Sequence, residues 1–427
     1  MEIGRQMYAL CDKLFPICRS ITGDGVRKTL AILREIVPEM TVHEVPSGTA
    51  VFDWTVPKEW NIRDGWIKNS RGEKILDFQK TNLHVVGYSL PVDQKVTLDE
   101  LLPLIYTQPD QPDAIPYVMS YYEERYGFCM TQRQKDALSN DTYHIYIDST
   151  LQAGSLTYGE ILIPSTEGGD DEIFLSTYVC HPSMANNELS GPAVTIHLAK
   201  AILAQKKRRY GYRLIFIPET IGAITYLSRH LPTMKEKIRA GFNISCVGDD
   251  RTYSYVASRY GNTLADRAAK NVLSFRCPTY KSYSFLQRGS DERQYNAPGV
   301  DLPVCGVCRS KYGTYPEYHT SKDDMTLISP EGLQGAYEVY ADILEALEEN
   351  RTYQITCLGE PQLGKRGLYA TISQKNFYGK QHALMDFIAY ADGQNDLIAI
   401  SDRIGVPVKE LLPIVEKLRQ SGLLTEK

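Results

Sequence analysis

The chain has 427 residues, of which 43% are hydrophobic and 23% are charged, as expected of a soluble protein with two or three globular domains. Its net charge of -5 and its pI of about 6.0 argue against binding to nucleic acid or to an anionic membrane. The N-terminus lacks a basic region followed by an apolar one, and no run approaches the roughly 18 apolar residues of a membrane helix. Nine scattered cysteines predict reduced thiols and a cytoplasmic location.

The first part of the chain changes character after about 40 residues. Helical spacing over 3–14 and 26–37 gives way to short alternating apolar pieces such as Val51–Trp54 and Tyr143–Ile147. Proline and glycine separate these pieces, which predicts β structure. We therefore expect residues 41–150 to form a β-rich domain inserted into a larger domain made of 1–40 and 151–350.

From about Gly159 the pattern alternates between strands and helices. The predicted strands are Glu160–Ile163, Ile173–Val179, Arg213–Ile217, Gly241–Val247, Thr252–Ala257 and Val304–Val307. The predicted helices are Pro192–Ala204, Ile221–Leu231, Thr263–Leu273 and Pro330–Glu349. This alternation predicts an α/β fold with a mostly parallel sheet flanked by helices on both faces.

The last 68 residues, 360–427, are predicted to be a winged-helix module. Helical patterns at His382–Ala391, Asp396–Ile404 and Val408–Gln420 include a glycine-containing turn typical of a helix-turn-helix, and Gly367–Ile372 could add a strand. The last helix mixes positive and negative side chains. This mixture favours packing, a protein partner or a homo-oligomer contact over DNA binding.

The most informative segment is the stretch from Phe174 to Gly191. An apolar strand ends at His181, a polar loop with Asn187 and Glu188 follows, and a helix begins with small residues. Sites of α/β sheets lie at this end of the strands, and imidazole and carboxylate are ligands of catalytic zinc. A histidine at a strand end also occurs as a capped, half-buried residue, so this segment alone leaves both interpretations open.

A second apolar strand ends at Pro218, and Glu219 follows it directly. A carboxylate at that point can take a proton from a water molecule activated by a metal. Alternatively, it is a glutamate favoured by the dipole at a helix N-terminus. A third strand ends before Asp249, which is either a metal ligand or part of a solvated turn.

Two later loops are rich in functional groups. The loop Arg288–Tyr295 could bind a substrate amine through Asp291, or a carboxylate through Arg288 or Arg293. In the other loop, His319 is followed by Asp323 and Asp324, and such carboxylates commonly orient the second nitrogen of a ligand histidine. Solvated surface loops remain the alternative for both segments.

Together these pieces form the order His…Asn-x-x-Ser-Gly…Pro-Glu…Asp…Gly-Ser-Asp…His-Thr-x-x-Asp. This order resembles the co-catalytic zinc aminopeptidase family, which includes glutamate carboxypeptidase-like and glutaminyl cyclase-like enzymes. More closely, the chain resembles bacterial aminopeptidase-like proteins of unassigned substrate that have an inserted β domain and a C-terminal winged helix. The segments that carry this closer resemblance are Ser20–Arg27, Pro46–Thr49, Val51–Pro57 and Glu59–Asp64.

The resemblance implies that His181 and His319 are metal ligands and that Glu219 is the general base. Three family carboxylates are replaced in this chain: by Ser183 in the His-x-Asp pair, by Asn187 at the bridging aspartate and by Thr220 at the second glutamate. At the last aspartate, the alignment of the strand could place either Cys246 or Asp249. Two zinc ions about 3.5–4 Å apart would need that lost charge.

We therefore expect one zinc ion per chain, bound by His181, Glu188 and His319 with water in the open position. Further candidates for the metal site or its immediate support are Asn187, Asp249 and Asp324. Tyr315 or Tyr318 would stabilise the oxyanion.

The leading hypothesis is a zinc-dependent, aminopeptidase-like hydrolase that cleaves a peptide or a related small amide. A second hypothesis keeps the chemistry but assigns an N-acyl or amino-sugar substrate. A third is a non-catalytic binding or regulatory protein on a degenerate peptidase scaffold, with the winged helix as its working part. A DNA-binding regulator is disfavoured by the pI of about 6.0.

Overall fold

The computed structural model describes residues 2–368 and 377–427. The strands are β1 (Thr41–Pro46), β2 (Ala50–Val51), β3 (Trp54–Thr55), β4 (Glu59–Lys68), β5 (Lys74–Asp77), β6 (Val92–Thr97), β7 (Ile105–Tyr106), β8 (Phe128–Cys129), β9 (Thr142–Gln152), β10 (Ser155–Ile163), β11 (Glu172–Tyr178), β12 (Gly211–Ile217), β13 (Ile238–Asn243), β14 (Ser254–Val256), β15 (Lys281–Tyr283), β16 (Val304–Cys308), β17 (Thr352–Ile355), β18 (Asp392–Asp396) and β19 (Leu424–Glu426). The α-helices are α1 (Glu2–Leu14), α2 (Asp24–Ile36), α3 (Leu98–Leu101), α4 (Gln132–Asp136), α5 (Ser190–Ala204), α6 (Ile221–Lys237), α7 (Leu264–Arg276), α8 (Glu292–Tyr295), α9 (Pro330–Glu348), α10 (Phe377–Tyr390), α11 (Leu397–Ile404) and α12 (Val408–Gln420).

The central sheet of the larger unit has eight strands in the order β1-β10-β12-β11-β13-β16-β14-β15. The inner strands β12, β11, β13 and β16 are parallel to one another. On one side of them, β10 pairs antiparallel with β12, and β1 pairs antiparallel with β10. On the other side, β14 pairs antiparallel with β16. The α/β fold is confirmed: the sheet is mixed, with four parallel pairings and three antiparallel ones. Helix α5 connects the parallel neighbours β11 and β12, and α7 follows β14 and precedes its parallel neighbour β15 in the chain.

Burial explains why the inner strands are such long apolar runs. All seven residues of β12 and all five of β16 are buried, as expected where both faces of a parallel sheet are covered. Helix α5 is buried over its first ten residues. The carboxyl ends of β11, β12 and β13 therefore emerge together from a rigid core.

The inserted β-rich segment forms its own four-stranded antiparallel sheet in the order β5-β4-β9-β6. It has a separate apolar core that includes Ile67, Phe128 and Ile145. Strand β1, which lies inside the predicted range 41–150, pairs with β10 of the central sheet instead. Strand β1 therefore belongs to the central sheet. An alternating strand pattern does not reveal which sheet the strand joins.

A second compact unit consists of Leu264–Tyr280 and Glu338–Lys427. It contains a three-stranded antiparallel sheet, β18-β17-β19, together with α10, α11 and α12. Because β17 belongs to this sheet, the module begins before residue 360. Most of the predicted strand Gly367–Ile372 lies outside the described residues.

Helices α11 and α12 match the predicted helix-turn-helix. Asp396 caps α11 by accepting a hydrogen bond from the backbone of Ala399 at 2.9 Å. On α12, Lys409 lies 3.7 Å from Asp342, and Arg419 lies 2.7 Å from Glu426. Two of the cations on this helix are therefore engaged within the unit. Among residues 2–368 and 377–427, no helix has the length and apolarity needed to span a bilayer.

The packing of α5 against the sheet makes a test of the fold. A Cβ atom on Gly191 would lie 2.4 Å from the carbonyl oxygen of Ile244 and 2.4 Å from Oγ1 of Thr177. We expect Gly191→Ala to lower the free energy of unfolding by about 1–3 kcal/mol, because the helix must move away from the sheet. Urea denaturation followed by near-UV circular dichroism measures the loss.

Gly169→Ala is the matched control, since the nearest atom to its added Cβ, the carbonyl oxygen of Arg209, lies at 3.5 Å. Equal stability of the two variants would contradict close packing at Gly191.

Candidate active site

His181 follows β11 at the carboxyl edge of the central sheet and is buried. Its Nδ1 atom lies 2.9 Å from Oε2 of Glu188, and its Nε2 atom lies 3.6 Å from Oε2 of Glu219. Burial by itself lowers the pKa of His181, but the hydrogen bond to Glu188 and the two nearby negative charges raise it overall. One imidazole thus lies between two carboxylates.

Glu188 lies in a short π-helical turn, Ala185–Leu189, directly before α5. Such turns are frequent at functional sites. The Glu188 carboxylate is fully buried and forms an ion pair of 3.4 Å with Nε of Arg19. Arg19 also donates to the carbonyl oxygens of His181 at 3.0 Å and Leu14 at 2.8 Å.

Glu219 lies at a sharp corner between β12 and α6. The N–H of Ile221 donates to the carbonyl oxygen of Glu219 at 2.8 Å, and Thr220 between them has φ 63° and ψ -78°. This γ-turn is a strained conformation for a residue other than glycine. Burial raises the pKa of Glu219, although the charges of His181 and Arg293 oppose the rise.

Asp291 and Arg293 come to the same corner. Asp291 accepts from the N–H of Thr220 at 2.7 Å, and Arg293 donates to Oγ1 of Thr220 at 2.6 Å. Burial, with the charge of Glu219, raises the pKa of Asp291 well above its usual range. The corner therefore holds two carboxyl groups and one guanidinium group.

The second imidazole, His319, has its ring centroid 5.3 Å from that of His181. The ring of Tyr318 stacks on it at 3.9 Å. Burial, with the charge of His181, lowers the pKa of His319 to about 3, so this side chain is neutral. Its Nε2 atom is buried and has no hydrogen-bond partner within residues 2–368 and 377–427.

The insertion supplies one wall of the site. The ring of Tyr117 lies 5.2 Å from that of His181 and 5.3 Å from that of His319. Its backbone N–H donates to the carbonyl oxygen of His319 at 2.9 Å, while Ile115 and Ser321 exchange hydrogen bonds of 2.8 and 3.0 Å. The loop that carries His319 is therefore held against the inserted domain.

Asp323 connects the His319 loop to the π-helical turn. It accepts from the backbone N–H groups of Asn186 at 2.6 Å and Asn187 at 3.0 Å, and from the hydroxyl of Tyr315 at 3.1 Å. Burial raises its pKa to about 6 even though these donors oppose the rise.

Backbone strain is concentrated around these residues. Four residues other than glycine have a positive backbone φ here: Ser183 (43°), Thr220 (63°), Cys246 (52°) and His319 (56°). Each such conformation costs on the order of 1 kcal/mol or more, and it persists where the surrounding structure determines it. The strained positions are the strand-end loops that present the candidate groups.

The structure brings His181, Glu188, Glu219 and His319 together. Among the described residues, the compact group able to hold a metal comprises Cys180, His181 and Glu188, whose ligand atoms all lie within 4.8 Å of one another. His319 does not belong to that group. The three-ligand set of His181, Glu188 and His319 therefore stays a prediction.

Other predicted residues have different surroundings. Asn187 accepts from the hydroxyl of Tyr178 at 2.9 Å, and the Tyr315 hydroxyl donates to Asp323. Asp249 is buried in a network with Asn186 (3.1 Å) and Ser310 (2.9 Å).

Two residues of the predicted set, Asp324 and Arg288, make their contacts with residues other than the two histidines. Asp324 accepts from the N–H and hydroxyl of Thr326 at 2.8 and 2.6 Å. The buried Asp323 accepts from Asn186, Asn187 and Tyr315, so orientation of His319 by either carboxylate stays a prediction. Arg288 is exposed and contacts Phe285, with 4.6 Å between the guanidinium carbon and the ring centroid.

Arg19, Cys180 and Tyr117 were not predicted as site residues. Arg19 directly precedes the segment Ser20–Arg27 that carries the family resemblance, which is the one signal pointing to it. No spacing rule relates it to His181, because the two are 162 residues apart.

Comparison with known proteins identifies the families that the two parts of the chain match. Residues 8–350 match the family described as "Domain of unknown function (DUF4910)", and residues 351–426 match a winged helix-turn-helix family. A protein of Clostridium acetobutylicum is 45% identical over 425 residues, covering 99% of this chain and 96% of its own. Its name provisionally assigns it to polysaccharide biosynthesis, with an aminopeptidase-like domain.

Solved structures extend the comparison. A crystal structure of a protein from Clostridium acetobutylicum, provisionally named a peptidase, is 43% identical, with a TM-score of 0.93 over 100% of this chain and 97% of that one. A zinc aminopeptidase from Bacillus subtilis is 12% identical, with a TM-score of 0.59 over 81% of this chain and 94% of that one. The second likeness is one of fold.

The role of Asp323 can be tested against its neighbour. Asp323→Asn replaces one carboxylate oxygen, which accepts a hydrogen bond from a backbone N–H, by an NH₂ group that cannot accept one. We therefore expect this variant to destabilise the protein by about 1–3 kcal/mol. Asp324→Asn removes contacts only to Thr326 and should change stability by less than about 0.5 kcal/mol. Urea denaturation of both variants measures the difference, and a larger loss for Asp324→Asn would refute the assignment.

Proposed function

Because the chain belongs to the DUF4910 family and has the fold of zinc aminopeptidases, we propose that it is a zinc-dependent hydrolase of a peptide or related amide bond. The observation that carries this proposal is the convergence of His181 and His319, with ring centroids 5.3 Å apart, beside Glu219 at the strand ends. The three groups come from separate loops, and each is buried or nearly so.

The two imidazoles fit a zinc ion. The Nε2 atom of His319 is a buried nitrogen without a partner among the described residues, and the ring is neutral, as a ligand must be. Asn187 and Thr220 stand where the resembled family has carboxylates. This loss of negative charge supports one zinc ion per chain rather than two.

A bound zinc ion would supply a Lewis acid that polarises the scissile carbonyl and makes a water molecule more acidic. Glu219 is the proposed general base, and its Oε2 atom would receive the water proton. Its raised pKa supports that role, because a base is most effective when its pKa approaches the working pH. Asp291 and Arg293 beside it would bind charged groups of the substrate.

Tyr318 is the better candidate for the oxyanion. The hydroxyl of Tyr315 already donates to Asp323 at 3.1 Å, whereas Tyr318 stacks on His319 at the site. We therefore propose Tyr318 in the role that the sequence leaves open between the two tyrosines.

A second candidate function is hydrolysis of an amide on an N-acyl or amino-sugar substrate. The name of the 45% identical relative, which points to polysaccharide biosynthesis, favours it. The aromatic wall of Tyr117 and half-exposed Tyr121 offers flat surfaces of the kind that line small-molecule sites. Comparing kcat/KM for aminoacyl amides with that for N-acyl amino sugars separates the two candidates.

A non-catalytic protein on this scaffold is the remaining alternative, with a protein partner or a second copy of the chain bound through the winged helix. A cytoplasmic location fits both the proposed hydrolase and this non-catalytic alternative. The ion pairs that engage Lys409 and Arg419 on α12 argue against a role for this helix in nucleic-acid binding.

Metal content is the first test. We expect the purified protein to contain about one zinc ion per chain, and His181→Ala and His319→Ala each to lose most of it, because each removes one imidazole ligand. Elemental analysis by mass spectrometry measures the ratio. His144→Ala, which changes an exposed histidine of the insertion, should leave the zinc content unchanged; a metal-free wild-type protein would support the non-catalytic alternative.

The base is tested separately. Glu219→Gln should keep the zinc ion but lower kcat by about 10²–10⁴-fold, because the amide cannot accept the water proton. Glu317→Gln, which changes a surface glutamate paired with Arg251 at 2.8 Å, is the control. Wild-type turnover by Glu219→Gln would exclude Glu219 as the base.

A further inference from the structure

We infer that Glu188 positions His181 instead of binding the metal, and that Arg19 holds Glu188 in place for that purpose. This inference rests on the proposed function, because it concerns how one of the proposed zinc ligands is oriented. It changes the role predicted for Glu188 from its place in the sequence. It also assigns a role to Arg19.

The contacts of His181 separate its two nitrogens. Glu188 lies at Nδ1, at 2.9 Å, whereas Glu219 lies at Nε2, at 3.6 Å. A carboxylate that accepts from Nδ1–H holds the imidazole in the tautomer whose Nε2 lone pair is available to a metal. A carboxylate at Nδ1 is therefore an orienting partner for a metal bound at Nε2.

The environment of Glu188 fits this role. Glu188 is enclosed in the protein, with 0% of its side chain exposed. The nearby cation is Arg19, which is equally buried and 3.4 Å away. A carboxylate taken out of water needs such a compensating charge.

Arg19 is itself fixed by two backbone carbonyls. It donates through Nε to His181 at 3.0 Å and through Nη1 to Leu14 at 2.8 Å. It therefore contacts both the backbone of His181, through a hydrogen bond, and the carboxylate of Glu188, through the charge interaction at 3.4 Å. The guanidinium group therefore acts on the imidazole through Glu188.

Ser183 cannot orient His181 in place of Glu188. Its hydroxyl donates to the carbonyl oxygen of Phe15 at 3.2 Å and accepts from Asn82 at 2.8 Å. The short π-helical turn instead directs Glu188, seven residues after His181, back to Nδ1. The offset between Asn187 and Glu188 in the sequence is thereby explained by the geometry of the turn.

Two glutamate variants separate a ligand from a positioning residue. Glu188→Gln keeps an oxygen that can accept from Nδ1–H, so we expect zinc affinity to fall by no more than about tenfold. Glu188→Ala removes the acceptor and should lower it by about 10–100-fold. Competition with a chromophoric chelator measures both affinities. Loss of zinc from Glu188→Gln as complete as from His181→Ala would overturn the inference.

The arginine is tested by a conservative pair of variants. Arg19→Met should lower zinc affinity by about 10–100-fold, and Arg19→Lys should recover part of that loss because it restores the positive charge. Arg71→Met, on the exposed surface of the insertion, is the control. Unchanged affinity in Arg19→Met, or no recovery in Arg19→Lys, would refute the positioning role.

The tautomer of His181 can be measured without zinc binding and without catalytic activity. In metal-free protein labelled with ¹⁵N-histidine, the His181 signals, identified by their absence in His181→Ala, should report a proton on Nδ1 in the wild type and in Glu188→Gln. We expect a mixture of tautomers in Glu188→Ala and in Arg19→Met. A wild-type protein that binds no zinc would defeat the proposed function, whereas a neutral His181 ring with its single proton on Nε2 would defeat the positioning inference alone.

Discussion

The burial of charge at the carboxyl edge of the central sheet is the constraint on which the rest of this structure depends. Glu188 and Arg19 are both fully enclosed, and a buried charge is tolerated only when another group compensates it. Each compensating group comes from a different part of the chain: Arg19 from the segment after α1, and His181 from the end of β11. The buried charge interactions and the loops that carry the charged groups therefore stabilise each other.

The loops at this edge are anchored by backbone contacts as well as by charge. Asp323 accepts from two consecutive N–H groups of the π-helical turn, so the His319 loop and the Glu188 turn are positioned together. The positive φ angles of Thr220 and His319 show that these loops are held away from their intrinsic preferences.

The inserted segment forms one wall of the candidate site. Through Tyr117 it contacts both histidine rings and hydrogen-bonds to the backbone of His319. An aromatic wall on one side and the corner of Asp291 and Arg293 on the other leave a site with both flat apolar and charged surfaces. That combination suits a substrate with a ring or apolar group next to a charged end, which both proposed amide classes include.

The sequence alone determined the elements and the principal candidates. Long apolar runs predicted the inner strands, 3.6-residue spacing predicted the helices, and the strand-end positions of His181 and Glu219 marked the active edge. Strand pairing needed the tertiary structure, because an alternating pattern does not say whether β1 belongs to the insertion or to the central sheet. The same holds for Arg19 and Tyr117, whose partners lie far away in the sequence and are brought near them only by the tertiary fold. The contact of Glu188 also depends on the tertiary structure, since a π-helical turn, which residue spacing does not reveal, directs its carboxylate to Nδ1 of His181.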